Sequence, residues 1–567
     1  MSRRLTSLAP HLILWGILAF LAVFLGWPLL HVFRGAFADK DGFSLAYVTA
    51  LLTDPLQLQA LANSLTIAIL VTLSCLVVSL PMAWFMARRC FPGKGLCSAL
   101  LLIPLILPPF VGAVGMKILF ARAGSLSALL MRVGLTDGPI DWLGRFPMLG
   151  IVLLETMHLF PVLYLNLVAS FANIDPSLED AAANLGATPW RTFRRVTLPL
   201  AMPGIFAGTT LVFIWAFTEL GTPLVFGLRR VLPVMIYDSV SEVGTNPMGY
   251  ARVVLVLVIS ALGFWISKRL TRRSQRTATL GRLSVQRQET PLRGLPLVAL
   301  YAFMGTVLFV ALLPHVSVIM IALSRRWFLS VLPEGWTLEF FGRALGSDLT
   351  QGAMVNSLLL AMSASVIDVI LGFCIAWLCV RRKLVGSDWL DTVAMLPIAV
   401  PGLVIAFGYL GCFAAHFPGS WLDPRTNPMA LLAISYAVRR LPYMVRAAHA
   451  GLQQTSVTYE EAAANLGASP LRVIRRITLP LLTANLLAGA VLCFAFSMLE
   501  VSDSLILAQS EPFYPITKAI YSLMDGLENG VNVAAALGTW AMCLLGAGML
   551  WAACLLGKRM GTMFRAG

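Results

Sequence analysis

Charged residues are scarce in this sequence. Asp, Glu, Lys and Arg make up 12% of its 567 residues, hydrophobic residues make up 58%, and the mean hydropathy is +0.82. This composition excludes an ordinary soluble domain, which carries about 25% charged residues. Apolar runs of about 20 residues are long enough to cross a bilayer as a helix, and the sequence has many of them. The chain is therefore predicted to be a polytopic membrane protein.

Motifs for catalysis are also absent. The sequence has six histidines, no H-E-x-x-H motif, and nine cysteines without a C-x-x-C pair. It has no G-x-x-x-x-G-K-[ST] loop, because Gly93-Lys94-Gly95 lacks both the spacing and the hydroxyl residue. We therefore expect a protein that is not an enzyme, with no cofactor or metal of its own, whose cysteines are packing residues.

The net charge of +15 comes from short basic tracts between apolar runs. This distribution is typical of cytoplasmic loops that obey the positive-inside rule, so we expect contact with membrane lipid and no nucleic-acid partner. The apolar run His11 to Phe33 is too long for a cleaved signal core, which favours an uncleaved first helix. Both termini are predicted to be cytoplasmic, in a multi-pass membrane protein.

The predicted fold is an all-α bundle of twelve transmembrane helices. Hydropathy places them at 11–33, 59–86, 97–120, 147–171, 201–227, 251–267, 295–323, 352–380, 390–413, 428–450, 482–508 and 535–556.

An internal repeat divides these helices into two six-helix halves of the same orientation. Asn63-Ser64 recurs as Asn356-Ser357 at an offset of 293, and Pro161 recurs as Pro442 at an offset of 281. From the N-terminus, the predicted domains are an additional leading helix at 11–33, domain 1 at 59–267, a basic cytoplasmic linker at 268–294, a second leading helix at 295–323, and domain 2 at 352–553.

One segment occurs twice between the fourth and fifth predicted helices of each half. Residues 179–200 and 460–481 share 16 of 22 positions. Each copy begins with helix formers and acids, continues to a glycine and a proline, and then carries three arginines before a Leu-Pro. This order predicts a short helical hairpin on the cytoplasmic side. Lipid would accept almost any basic amphipathic sequence, so two nearly identical copies favour a shaped protein partner.

The repeated segment resembles the EAA loop of permeases from ATP-binding-cassette (ABC) importers of type I. The matching residues of the first copy are Asp180, Ala181, Ala182, Gly186, Val196, Leu198 and Pro199. Those of the second copy are Glu461, Ala462, Ala463, Gly467, Ile477, Leu479 and Pro480. The departure is Asp180, where the motif has glutamate. The similarity extends over nearly all of the chain from residue 59.

The resemblance implies the permease fold of these importers, located in the cell inner membrane, with two such halves fused in one chain. It also implies two copies of an ABC ATPase that hydrolyses ATP with Mg²⁺, each binding one loop, and a periplasmic binding protein that delivers the substrate. The halves are most similar to ferric-iron-type permeases, and thiamine, phosphonate and polyamine stay open as alternative substrates.

Acidic residues within predicted helices are candidates for the translocation pathway. Glu219 and Glu500 occupy equivalent repeat positions, and Asp503 follows Glu500 by one turn. Carboxylates are suitable ligands for a hard cation such as ferric iron. Alternatively, each acid pairs with a neighbour such as His158, Arg439 or Arg440. A proton-coupled secondary transporter that uses Glu219 and Glu500 as proton relays is the competing class of function.

Overall fold

The computed structural model describes residues 2–39, 42–106, 109–278, 290–382, 384, 386–526 and 529–563. The helices of the first half are α1 Ser2–Leu21, α2 Trp27–Phe37, α3 Ala46–Thr53, α4 Pro55–Arg88, α5 Lys94–Leu100, α6 Ile103–Ile106, α7 Pro109–Phe120, α8 Ser125–Arg132, α9 Trp142–Arg145, α10 Pro147–Ala172, α11 Pro176–Asn184, α12 Pro189–Thr192, α13 Leu198–Phe217, α14 Gly221–Val225, α15 Leu232–Asp238 and α16 Pro247–Ala278.

The helices of the second half are α17 Leu295–Leu323, α18 Glu339–Gly346, α19 Asp348–Trp377, α20 Ser387–Met395, α21 Gly402–His416, α22 Met429–Gln454, α23 Thr458–Asn465, α24 Pro470–Val473, α25 Leu479–Met498, α26 Ser502–Leu507, α27 Ile516–Met524 and α28 Gly530–Met563. Single π-helical turns lie at Ala22–Gly26, Phe193–Thr197, Leu378–Arg382 and Ile474–Thr478, and 3₁₀ turns lie at Val240–Glu242, Leu396–Ile398 and Glu511–Phe513.

Short strands accompany the helices, which the all-α prediction did not include. Two antiparallel pairs join β1 Ala38–Asp39 to β2 Gly42–Phe43 and β5 Ser324–Arg326 to β6 Glu334–Trp336. The parallel pair joins β3 Arg89–Cys90 to β4 Thr290–Pro291. Each strand has two or three residues, so the predicted helical membrane fold is confirmed.

The helices that could cross a membrane number ten within the described residues, or eleven if one bent pair counts as a span. The bent pair is α20 with α21, whose axes differ by 98°. Pro397 and Pro401 lie at the bend, where proline cannot donate to a helical hydrogen bond. The predicted span 390–413 is therefore two helices. The predicted span 428–450 is helix α22, which is less apolar because it carries Arg439, Arg440 and Arg446.

The predicted linker 268–294 begins as a helix, because α16 continues to Ala278. Residues 279–289 of that prediction lie outside the described part of the chain.

The chain forms two compact units. The N-half unit comprises Thr53–Met235 and Val258–Glu339, and the C-half unit comprises Met1–Leu52, Ile236–Leu257 and Phe340–Gly567. In the N-half unit α4, α10 and α13 pack against one another, and the repeat-related helices α19, α22 and α25 pack in the same way in the C-half unit. The repeat in the sequence is therefore a repeat of the packed core.

The leading helix of each half packs in the unit that the other half mainly builds. Helix α17 of the second half packs on α7 and α10 in the N-half unit, and α1–α2 pack on α20, α21 and the α19–α22 core in the C-half unit. The repeat-related glycines Gly115 and Gly408 lie at these contacts. A Cβ on Gly115 would clash with the carbonyl oxygen of Pro314, and one on Gly408 would lie 3.2 Å from that of Pro28.

We expect Gly115→Ala to destabilise the protein by about 2 kcal/mol, because the backbone of α17 would have to move away from the new methyl group. The measurement is thermal unfolding of the purified chain in detergent. Gly305→Ala is the matched control. Gly305 also lies on α17, but it has open space within 4 Å of the point that its Cβ would occupy. Because alanine favours a helix over glycine, this variant should lose no stability. Equal stability of the two variants would contradict the close contact.

Candidate functional site

Each repeated segment forms a helical hairpin, as predicted. The first hairpin consists of α11, α12 and the π turn that leads into α13, and the second consists of α23, α24 and the corresponding π turn before α25. Asp175 caps the start of α11 by accepting a hydrogen bond of 2.9 Å from the backbone of Ser177, and Pro176 occupies the first turn. Pro189 and Pro470 begin the second helices of the hairpins.

The turn within each hairpin depends on glycine. Gly186 and Gly467 have φ values of +80° and +83°, a conformation that side chains with a Cβ rarely adopt. In both turns the amide three residues beyond the helix donates back into its last turn, from Ala187 to Ala182 and from Ala468 to Ala463, at 3.0 Å. The two glycines of the motif therefore end the first helix of each hairpin in the same way.

The remaining motif residues lie on the surface of the hairpins. Asp180, Ala181, Glu461 and Ala462 are exposed, whereas Ala182 and Ala463 are half-buried. The two copies thus present the same face, and the replacement of glutamate by Asp180 changes that face by one methylene group.

Large apolar side chains surround the motif, although the sequence analysis did not single them out. Leu185 and Leu466 are 89% and 90% exposed at equivalent positions of the two turns. Trp190 and its equivalent Leu471 are also exposed. Large apolar side chains exposed at equivalent positions of two copies favour a surface that binds another protein or a membrane. The repeat offset of 281 is the signal that would have identified them from the sequence.

A buried ion pair joins each hairpin to a membrane helix. In the N-half unit Nη2 of Arg88, at the end of α4, lies 2.7 Å from Oε1 of Glu179 on α11. In the C-half unit Nε of Arg381 lies 3.0 Å from Oε1 of Glu460 on α23. The four side chains are at most 17% exposed. Both arginines and both acids recur in the repeat, so their pairing was also accessible to sequence reasoning.

The environment of Glu179 explains why its carboxylate needs partners. Burial raises the pKa of Glu179 above its ordinary value, the hydrogen bond from Thr197 lowers it, and the nearby Asp180 raises it. The Thr197 hydroxyl donates to Glu179 at 2.7 Å. Together the hydroxyl and the Arg88 guanidinium compensate for the lost hydration of the carboxylate. In the second hairpin, Arg381 additionally donates to the backbone oxygen of Thr455 at 2.9 Å.

The acids predicted for the pathway lie where the fifth helix of each half is interrupted. Helix α13 ends at Phe217 before Glu219, and α25 ends at Met498 before Glu500. The carboxylate of Glu219 accepts from the backbone of Thr222 at 3.3 Å, and that of Glu500 accepts from the equivalent backbone of Asp503 at 3.4 Å. Each acid thus caps the short helix that follows.

The surroundings of these acids differ between the halves. Glu500 contacts both Arg439 and Arg440, and Asp503 accepts from Ser435 at 2.8 Å and from Arg439 at 3.3 Å. This is the pairing that the sequence analysis gave as the alternative for Glu500. Both acids of the C-half unit are buried.

In the N-half unit the positions equivalent to Arg439 and Arg440 are His158 and Leu159. His158 hydrogen-bonds through Nδ1 to the backbone oxygen of Pro104 at 3.0 Å. Glu219 is half-buried, with the buried Glu155 near it. The first half therefore has no arginine at the two positions from which Arg439 and Arg440 contact Glu500 in the second half.

Comparison with known proteins gives two matches to one family model, described as "Binding-protein-dependent transport system inner membrane component", at residues 79–276 and 368–561. Each matched range contains one hairpin.

Individual relatives are also permease subunits. A putative ferric transport system permease protein of Haemophilus influenzae is 26% identical over 511 residues, which cover 87% of this chain and 77% of that protein. The ferric transport system permease protein of Actinobacillus pleuropneumoniae is 25% identical over 541 residues, which cover 92% and 75%. The molybdenum transport system permease protein of Escherichia coli K12 is 32% identical over 237 residues, which cover 40% and 99%.

We expect Arg88→Met to loosen the first hairpin, because it leaves the Glu179 carboxylate without its cation. A loss of about 2 kcal/mol would raise amide hydrogen exchange in residues 176–192 roughly thirtyfold, as measured by mass spectrometry. Arg132→Met is the matched control, because Arg132 is an exposed arginine of the same unit. If both variants leave exchange in the hairpin unchanged, the ion pair does not hold it.

Proposed function

The chain belongs to the family of binding-protein-dependent transport system inner membrane components, and on that premise we propose that it supplies both halves of the permease of an importer for ferric iron. It contains both halves of the family's repeat, so one copy would serve one assembly. The proposal comprises two ATPase subunits, one at each hairpin, and a periplasmic binding protein that delivers the iron. Both termini of the chain and both hairpins would lie on the cytoplasmic side.

The observation that carries the ATPase assignment is the pair of matched exposed surfaces. Leu185 and Leu466 extend from identical glycine turns, and Trp190 and Leu471 flank them. An exposed leucine gains about 1.5–3 kcal/mol when a partner buries it fully, so each hairpin offers a strong apolar anchor. Two equivalent partners are favoured because the two surfaces are equivalent.

The buried ion pairs supply the mechanical link in this proposal. Arg88 ends the long helix α4, and Arg381 lies in the π-helical turn that extends α19. Each arginine holds the first helix of a hairpin through its ion pair. A movement imposed on a hairpin by its ATPase would therefore be passed to a membrane helix as a rigid-body displacement. Closure of the two ATPases on ATP would in this way open the pathway alternately to the two sides.

Ferric iron as the substrate is supported by two features. Relatives that share most of the chain's length are named for ferric transport. Within the N-half unit, Glu219 and Glu155 lie near each other, and the positions equivalent to Arg439 and Arg440 carry no arginine. A hard trivalent cation is attracted by such carboxylates. We assign Glu219 to the translocation pathway, and Glu500 and Asp503 chiefly to the charge balance of the C-half unit.

The transport experiment reconstitutes the chain in liposomes with its co-purifying ATPase and binding protein. We expect uptake of ferric iron to require ATP and all three proteins, and the chain alone to transport nothing under a proton gradient. Uptake by the chain alone that collapses with an uncoupler would instead establish the secondary transporter. Thiamine, aminoethylphosphonate and spermidine are tested beside iron, and transport of one of them without iron would overturn the substrate assignment.

The same assay tests the hairpins. We expect Gly186→Val and Gly467→Val each to reduce the amount of co-purifying ATPase, because valine at φ near +80° distorts the turn. Gly134→Val is the matched control, since Gly134 has a φ of +76° and open space around it but lies outside the hairpins. An equal loss of ATPase in all three variants would show that strain, rather than docking, is responsible.

A second prediction separates the two repeat-related acids. Glu219→Gln keeps an oxygen that can cap α14 and removes the charge, so we expect at least a tenfold lower rate of iron uptake with thermal stability and ATPase association retained. Glu500→Gln leaves Arg439 and Arg440 without full compensation, so we expect a stability loss of about 3 kcal/mol. Normal iron uptake by Glu219→Gln would remove Glu219 from the pathway.

A further inference from the structure

Three metal-ligating side chains converge in the C-half unit, and none of them belongs to a hairpin or to the acids predicted for the pathway. His31 lies on α2, and Cys412 and His416 lie one turn apart on α21, so that they share a helix face. The ligand atoms of the three side chains all lie within 4.8 Å of one another. The imidazole centroids of His31 and His416 are 5.6 Å apart. Side chains distant in the sequence are thus brought to one point.

The orientation of His416 suits a metal ligand. Its Nδ1 donates to the backbone oxygen of Cys412 at 2.7 Å, because a carbonyl oxygen can only accept. This hydrogen bond fixes the tautomer and leaves the lone pair of Nε2 available for an ion. Histidine ligands of metals are commonly held by such a bond from the other ring nitrogen.

The neighbouring side chains hold both imidazole rings in place. Trp27 packs edge-on to His416 with ring centroids 5.0 Å apart, and Tyr250 packs edge-on to His31 at 5.8 Å. Tyr250 can approach because Gly35 of α2 and Gly411 of α21 lack side chains. A Cβ on Gly35 would lie 2.7 Å from the tyrosine ring, and one on Gly411 would lie 2.5 Å from its hydroxyl oxygen. Close packing therefore fixes α2 and α21 around the cluster.

An ion can reach the cluster from solvent. A cavity of about 570 Å³ adjoins it, with His31, Asn246, Tyr250 and Arg425 in its lining. His416 is exposed, His31 is half-buried and Cys412 is buried. Arg425, together with Arg34 near His31, opposes a bound cation. A metal ion bound at Cys412 would displace the thiol proton, and the resulting thiolate would supply the negative charge that compensates for them.

We propose that His31, Cys412 and His416 bind a divalent transition-metal ion of the Zn²⁺ class, and that the bound ion joins α2 to α21. Two imidazoles and a thiolate are borderline to soft donors, which suit Zn²⁺ and not a hard trivalent ion. Zinc bonds of about 2.0–2.3 Å imply ligand separations of roughly 3.3–3.6 Å, so the side chains close by about 1 Å. The fourth coordination position is left for water.

This assignment changes the interpretation of Cys412. Its apolar sequence context predicts a packing residue, and the thiol does lie buried on α21. The two histidines give it a second role, because together with them the sulfur completes a set of three donors, and a metal ion bound by such a set displaces the thiol proton.

The test is metal titration of the purified full-length chain in lipid nanodiscs, first freed of metal by a chelator. Co²⁺ serves as the spectroscopic probe and Zn²⁺ as the competitor. We expect one tightly bound Co²⁺ per chain, with a thiolate-to-cobalt charge-transfer band that Zn²⁺ abolishes. Cys412→Ser should lose the band, and Cys412→Ser and His416→Ala should weaken binding at least about a hundredfold. Cys543→Ser and His449→Ala are matched controls outside the cluster and should bind as the original chain does.

A second measurement tests the link between the helices. Zn²⁺ should raise the melting temperature of the original chain and leave that of His31→Ala unchanged, because α21 alone cannot join two helices. The site would be overturned if the thiolate-to-cobalt band persisted in Cys412→Ser. It would also be overturned if the original chain bound Co²⁺ no more tightly than the variants do. A Zn²⁺-dependent rise that persists in His31→Ala would overturn the link. Displacement of Co²⁺ by ferric citrate would contradict the preference of the site for an ion of the Zn²⁺ class over a hard trivalent ion. None of these outcomes depends on the ATPase or on transport.

Discussion

The ion pair between the end of a long membrane helix and the first helix of a hairpin is the interaction on which the proposed mechanism depends. The pairs Arg88–Glu179 and Arg381–Glu460 are mostly buried away from water. An unpaired charge in such a buried position would be costly. Each pair therefore resists separation when a force is applied to the hairpin. The glycine turns have a different role, since they shape the surface that a partner binds. A hairpin with its surface intact but its ion pair broken would bind a partner without transmitting its movement.

The two halves share this link within one chain while their interiors differ. Both halves interrupt the fifth helix and cap the following short helix with a glutamate, Glu219 or Glu500. In the C-half unit Arg439 and Arg440 neutralise the acid, whereas the equivalent positions of the first half hold His158 and Leu159. The repeated glutamate is therefore explained by the cap, and the difference in charge is where a function specific to one half could arise.

The sequence alone predicted the helices, the repeat and the hairpins, because these depend on local patterns. Hydropathy located the spans, and Gly186 and Gly467 marked turns that need a positive φ. The packing of each leading helix in the unit that the other half mainly builds was not predictable in this way. An apolar run such as α17 does not specify which apolar surface it contacts. The bend between α20 and α21 was indicated in the sequence by Pro397 and Pro401, but a hydropathy average does not register the effect of proline on a helix. Charge balance made Arg439 and Arg440 candidate partners of Glu500, but the sequence left open whether Glu500 paired with them or faced the pathway.

The oxygen donors near Glu219 and the nitrogen and sulfur donors of the His31 cluster attract different cations. Ferric iron forms its stronger bonds with carboxylates, and an ion of the Zn²⁺ class forms its stronger bonds with imidazole and thiolate. One chain can therefore move one metal and bind another without competition between them. An ion that joins α2 to α21 would stabilise the C-half unit at a contact where Gly408 lets the leading helix approach closely. Its expected effect is on the rigidity of that unit, and the identity of the transported ion would be set elsewhere.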